Sequence, residues 1–404
     1  MIQSARVSIG VFEWIEPPVE RLRRTPLHDW HVAAGARMVP FAGWRMPVWY
    51  GSAAQEHRIV REAAGLFDVG HMGAIEVSGP RTAAFLDALT TNAVEKIQVG
   101  DAQYTYLLDV DGVPLDDLIL YRTADERVLL VVNAANEAKV WAWLNAVNER
   151  RVLIDRDDPA RVAPGPVALR NLKDPAHGAD RRLDLALQGN ASLPTLRALT
   201  GSADLEALPK FNHRPARCGS IEVLLSRTGY TGQNVGFEIL VHPDRAVELW
   251  TAILEAGRGP GVRAVGLAAR DSTRTEAGFP LYGHELGGPR GLTPLEAGYG
   301  AFVKLDKPFF VGRRAILERR DKMTRAIARF EVLDEDARAV RADDEVLGPD
   351  GAAVGVVTSC AAIGRRQVGL ALVEREHGRT GAEISIRRKE RLIRARVLKR
   401  FASF

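Results

Sequence analysis

With 404 residues, 46% of them hydrophobic and 26% charged, and a formal net charge of +4, the chain has the makeup of a multidomain globular protein. No stretch approaches the length of a membrane span, and no run of Lys and Arg is interleaved with aromatics, so neither a membrane nor nucleic acid is expected as partner. The two cysteines, Cys218 and Cys360, argue against a disulfide framework and fit a reducing, cytoplasmic setting.

In chain order, residues 1–23 are interrupted by Glu13, Glu16 and Glu20 and read as an extension outside the main fold, neither secretory signal nor transit peptide. "LHDWH" brings His28 and His31 close, but H-x-x-x-H and C-x-x-C spacings are missing and no metal site is expected. Ser52 is a candidate cap for a helix over 53–65, and a second helix is expected over 79–92. Between them, "DVGHMG" sets Met72 among glycines, either as a core side chain or as packing for a flat ring.

Residues 104–133 read as a three-stranded meander with a turn at Asp111-Gly112. Within it, "GVPLDDLILYR" puts Asp116 and Asp117 directly before an apolar run. Neighbouring strand residues point to opposite faces, so only one of the two acids can face a given cleft. The plainer reading makes both of them turn residues at the wet end of the strand.

Asn136 is a candidate cap for a helix over 137–151, and 155–184 reads as a surface excursion. A helix over 246–257 is expected to end at Gly257. In "SRTGYTGQNVGFEILVHPD", Glu238 breaks the apolar run Phe237–Val241, and Gly229 and Gly232 bracket Tyr230. A carboxylate there needs a donor, either an internal Arg or Lys or a ligand offering two adjacent N–H groups. "GLAARDSTRTEAGFPLYGHEL" places Arg270 and Arg274 on one helix face, as a salt-bridged surface or as a clamp for a ligand carboxylate. Beyond residue 320, short alternating strands suggest a small antiparallel barrel or sandwich. P-loop, strand-linked G-x-G-x-x-G and G-x-S-x-G patterns do not occur.

In combination, "RTPLHDWHVAAGARMVPFAGWRMPVWY", "LFDVGHMG", "DGVPLDDLILY", "VVNAAN", "SRTGYTG…GFEI", "ARDSTRTEAGFPLYGHEL" and "TPLEAGYGAFVKLDKPFFVGR" resemble, in order, the T-protein family of the glycine cleavage system. The similarity runs from about Arg24 to the C-terminal strands. It implies an α+β fold, a three-domain cloverleaf around a central folate hole with a C-terminal antiparallel β-barrel. The implied division is 1–23 extension, 24–67 with 157–283 as a first folate-binding domain, 68–156 with 284–308 as a second, and 309–404 as the barrel.

The activity implied is that of an aminomethyltransferase. The methylene carried on the lipoyl arm of the H-protein passes to tetrahydrofolate as co-substrate, with release of ammonia. A monomer is implied. Residue by residue, Asp117 matches the key aspartate that polarises the reacting nitrogens, with Asp116 turned to the other face in a structural role. Glu238 matches the glutamate gripping the amino-pyrimidine edge of the pterin, Tyr230 a pocket tyrosine and Arg270 an arginine near the folate. Tyr104, Asn133 and Met72 match further pocket positions.

The chain departs from the family pattern at the longer "TGQNVGFE" loop, at Phe279, at Ala301, in 155–184 and at "VTSCAAIG". These departures motivate a second reading, a folate-dependent demethylase of the same fold. A third, a non-catalytic folate-binding protein of iron–sulfur assembly, lacks its expected Cys in "RTGYTGQ".

Overall fold

The strands form two helix-backed sheets, a two-stranded hairpin of Arg37–Phe41 and Trp44–Trp49, and a closed barrel; the structure, a computed structural model, describes residues 10–402 and 404. In the five-stranded sheet the spatial order is Ala102–Leu108, Pro114–Ala124, Arg127–Val132, Gly73–Ser78 and Ala168–Asn171, antiparallel throughout. The first three strands are the expected meander. Leu118 and Leu120 enter a core with Phe85 and Leu86 of helix Thr82–Leu89 and Trp143 and Leu144 of helix Glu137–Asn148. Ile119 and Tyr121 take the opposite face, with Leu129, Val131 and Met72.

The six-stranded sheet runs His213–Cys218, Ile221–Ser226, Gly236–Val241, Leu183–Gln188, Ala64–Asp68 and Val262–Ala264, with only the last pair parallel. One face is covered by helices Ser192–Thr200 and Ala246–Ala256, through Phe237, Ile239, Leu249 and Trp250. Each such apolar side chain contributes about 1.5–3 kcal/mol on burial. Glu238 and Leu240, in the same strand, point the other way, and Leu240 joins the cluster containing Tyr121. The helix-free face of the five-stranded sheet therefore meets the Glu238 face of the six-stranded sheet, which farther along, at Ala186 and Phe67, carries Val60 of helix Ala53–Glu62 and Ala269 of helix Leu267–Ala277.

Strands Arg325–Val332, Arg366–Glu374, Ala353–Ile363, Glu345–Leu347, Glu383–Arg388 and Arg391–Leu398 close into the C-terminal barrel. The expected alternating strands are present. Glu345–Leu347 is an addition, since three residues give too little alternation to be read.

Four local expectations change. The helix expected over 53–65 ends at Glu62, because Ala64–Asp68 is fully buried as a strand of the six-stranded sheet. That burial outweighs helix propensity. The stretch 155–184 is not only an excursion: Ala168–Asn171 pairs with Gly73–Ser78 as an edge strand. Asn136 stands at the start of helix Glu137–Asn148 without capping it, its side chain being used elsewhere. Ser52, by contrast, accepts from Gln55 N as a cap should. The leading segment is not wholly an extension outside the fold: Gly10 bridges to Val152, and Phe12 packs on the core, meeting Trp143 edge to face at 5.1 Å; residues 1–9 lie outside the described residues. Among the described residues no helix is long and apolar enough to cross a membrane.

Candidate active site

On strand Pro114–Ala124 the period of two separates the acids. Asp117 shares the helix-free face with Ile119 and Tyr121, and Asp116 turns toward helix Glu137–Asn148. Asp117 Oδ2 accepts from the Tyr104 hydroxyl at 2.8 Å, and Oδ1 accepts from Asn133 Nδ2 at 2.9 Å. Asp116 is fully buried. Its Oδ2 accepts from the Asn133 backbone N–H at 2.9 Å, and its Oδ1 from Asn133 Nδ2 at 2.9 Å and Asn136 Nδ2 at 2.5 Å. The acids point to opposite faces, as expected, but they are joined: one amide group touches both. Burial raises both carboxyls above the usual carboxylate range, and the two charges oppose each other. Neither acid is a solvated turn residue.

Behind Asp116 the chain of contacts continues. Lys139 Nζ donates to Asn136 Oδ1 at 2.9 Å and to the Tyr282 hydroxyl at 2.8 Å. In front of Asp117, the Tyr104 ring packs edge-on against Tyr299 at 5.9 Å and Phe302 at 5.0 Å. The aromatic wall is thus built beside Ala301, which is itself exposed.

Across the interface between the sheets, Glu238 Oε2 accepts from the Tyr121 hydroxyl at 3.0 Å and from Thr228 Oγ1. Both donors are neutral. The internal Arg or Lys that a buried carboxylate would call for is not present among the described residues, and Oε1 has no hydrogen-bond partner there. The carboxyl of Asp184, two strand positions along the same face, is pushed well above the usual carboxylate range by burial and by the charge of Glu238.

The loop before Glu238 is pinned by Gln188, which donates from Nε2 to Thr228 O at 3.1 Å and accepts from Thr231 Oγ1 at 3.0 Å. A Cβ at Gly229 would stand 2.0 Å from Gln188 Oε1, so only glycine lets the loop close on this amide. Tyr230 donates to Pro280 O, and its ring carries the Arg270 guanidinium 4.9 Å from its centroid. The Arg270 guanidinium forms no ion pair or hydrogen bond among the described residues.

The two arginines of helix Leu267–Ala277 separate in role. Arg274 is fully buried and bonds Asp271, Glu285 at 2.9 Å and Ser359 of the barrel at 2.8 Å. It ties helix to barrel and cannot clamp a ligand. The helix then stops at Gly278 (φ +87), where a Cβ would meet Arg400 O at 2.2 Å.

Met72 lies at the contact of the two sheets, packing both on the cluster with Tyr121 and Leu240 and on the one that joins Phe67 and Ala186 to helices Ala53–Glu62 and Leu267–Ala277. Its turn is held by Asp68, whose Oδ1 accepts from Gly70 N at 2.8 Å, and by Lys173, which donates to Gly70 O and to Met72 O at 3.1 Å. Burial brings the Lys173 ammonium down to about 8. His31 links Tyr50 to Asp68 as a hydrogen-bonding side chain, at 2.7 and 2.9 Å. Asn136, Lys139, Tyr121, Thr228 and Lys173 escaped sequence reasoning. Tyr121 alone had a usable signal, since it lies four positions from Asp117 on the same strand face.

The chain is similar to known proteins over nearly its whole length. A family model described as the GCVT N-terminal domain matches residues 27–307, and one described as the glycine cleavage T-protein C-terminal barrel domain matches 325–402. An aminomethyltransferase of Symbiobacterium thermophilum is 40% identical over 385 residues, 94% of this chain and 96% of that one. One from Desulfitobacterium hafniense is 37% identical over 380 residues, 93% and 97% of the two chains. The crystal structure of glycine cleavage system aminomethyltransferase T from Bartonella henselae superposes with a TM-score of 0.79 at 30% identity, covering 95% of this chain and 99% of that one.

Proposed function

The chain belongs to the glycine cleavage T-protein family and is an aminomethyltransferase; from that premise we propose that its donor is the aminomethyl-loaded lipoyl arm of an H-protein and its acceptor tetrahydrofolate. The methylene leaves its sulfur and its amino nitrogen and closes between two folate nitrogens. The two N–H hydrogens given up there end on the departing ammonia and the lipoyl thiol, so the step balances without an oxidant.

One observation carries the acceptor: Glu238 is a buried carboxylate with one oxygen lacking a partner and no cation beside it among the described residues. Buried charges are ordinarily paired. A pterin amino-pyrimidine edge offers the two adjacent N–H groups that would complete it. Tyr230 and Met72 supply ring packing, and Arg270, whose guanidinium lies over Tyr230 without an ion pair among the described residues, faces an anionic part of the ligand.

Asp117, directed by Tyr104 and Asn133, takes the role of polarising the reacting nitrogen and accepting its proton. Geometry supports that role, because both of its oxygens are fixed by donors and it lies, half-buried, on the face turned away from the helices. The test is Asp117→Asn, which keeps size and removes charge. Folate affinity should stay within about threefold while turnover falls on the order of 10²–10⁴-fold. Undiminished turnover would remove Asp117 from the mechanism.

A further inference from the structure

Asp116 and Asp117 cannot both carry full charge at low cost, since they are neighbours, one fully buried and one half-buried, bridged by a single amide. Which of them holds the negative charge decides whether Asp117 is a strong or a weak base. The donors around Asp116 bear on this. Three N–H groups aim at its two oxygens, one donor more than Asp117 receives, so the ionised form is favoured more strongly at Asp116. The Asn136 amide is oriented by Lys139: with the ammonium on Oδ1, the NH₂ end must face Asp116. An amide turned the other way would accept from a protonated Asp116, but would set its NH₂ against the ammonium.

We infer that Lys139, acting through Asn136, is a positioning residue that keeps Asp116 ionised, so that the proton shared by the pair resides on Asp117. This rests on the assignment of Asp117 as the base. The fixed charge on Asp116 then strengthens that base toward the working pH. Burial lowers the Lys139 ammonium, which Asp116 opposes. Other groups facing Asp116 and Lys139 are Tyr282, Asp109 and Glu16. Those facing Asp117 are Tyr104, Tyr106, Tyr230, Tyr299 and Arg270.

The test is the pH profile of kcat/KM for the full-length enzyme and for K139M, K139R, N136A, D116N and K139M/D116N. In K139M and N136A the proton passes to Asp116, so Asp117 is ionised at lower pH and is a weaker base. The acid limb should move down by about one pH unit or more and the plateau should fall, with KM for tetrahydrofolate changing less than about threefold. K139R should restore the wild-type limb, and K139M should add no shift in the D116N background. Simple loss of a positive charge would move the limb the other way, upward. An upward or unmoved limb, or a further shift in the double variant, would overturn the inference.

If the wild-type enzyme fails to release ammonia from H-protein, the proposed function fails separately. The inference is then decided by carbon-13 NMR titration of the aspartate carboxyls of the unliganded protein. The proton should be found on Asp117 in the wild type and on Asp116 in K139M; a proton on Asp116 in both contradicts it.

Discussion

The hydroxyl of Tyr104 donates to Asp117 Oδ2 at 2.8 Å, from the neighbouring strand of the same sheet. A donor on a carboxylate favours its ionised form, and here it works against burial, which raises Asp117. Tyr104→Phe removes the donor and keeps the ring against Phe302. The acid limb of kcat/KM should therefore move up, by about 0.5–1 pH unit. A limb unmoved or shifted down would mean that Tyr104 acts only as an aromatic wall.

Glu238→Ala should weaken tetrahydrofolate binding by about 2–5 kcal/mol, the cost of losing a desolvated charge-assisted pair. Calorimetry or fluorescence quenching measures it. An unchanged Kd would mean that the hydroxyls of Tyr121 and Thr228 are the only partners this carboxylate has.

Arg274 and Glu285, at 1% and 0% side-chain exposure, form a buried pair 2.9 Å apart. Arg274→Met strands the carboxylate and should cost about 3–5 kcal/mol in urea unfolding. A loss below about 1 kcal/mol would show that Ser359 and the Leu281 N–H satisfy Glu285 without the arginine.

Asp68 is fully buried, and His31, Thr25 and the Gly70 N–H lower its carboxyl below the usual range, against the opposing effect of burial. A depressed carboxylate contributes stability that is complete above its unfolded value, about 4, and lost as pH falls through the folded value. The stability gap between wild type and Asp68→Asn should therefore be larger at pH 6 than at pH 3. A gap independent of pH would mean that the pairing with His31 contributes no linkage.

Strand periodicity made much of this site legible. Alternation along Asp116–Tyr121 was enough to put the two acids on opposite faces, and the lone acid in Phe237–Val241 marked Glu238. The texture beyond residue 320 announced a small antiparallel barrel or sandwich for the same reason, because each strand keeps one face inward, and the strands close as a barrel. What remained hidden depended on contacts between distant segments. Arg270 and Arg274 have identical helical spacing, yet one meets Glu285 and Ser359 and the other lies over Tyr230. Asn136 has the sequence of a cap and serves Asp116 instead, because the strand end brings a buried carboxylate within reach of its amide. The edge strand Ala168–Asn171 sits in a polar, proline-rich stretch where no alternation stands out.

The most direct test of the account is ammonia release from aminomethyl-loaded, lipoylated H-protein, measured with the purified enzyme in the presence and absence of tetrahydrofolate. Rapid release is expected only with tetrahydrofolate, matched one for one by 5,10-methylenetetrahydrofolate. Release at the same rate without tetrahydrofolate, or none with it while folate still binds, would contradict the assignment of donor and acceptor.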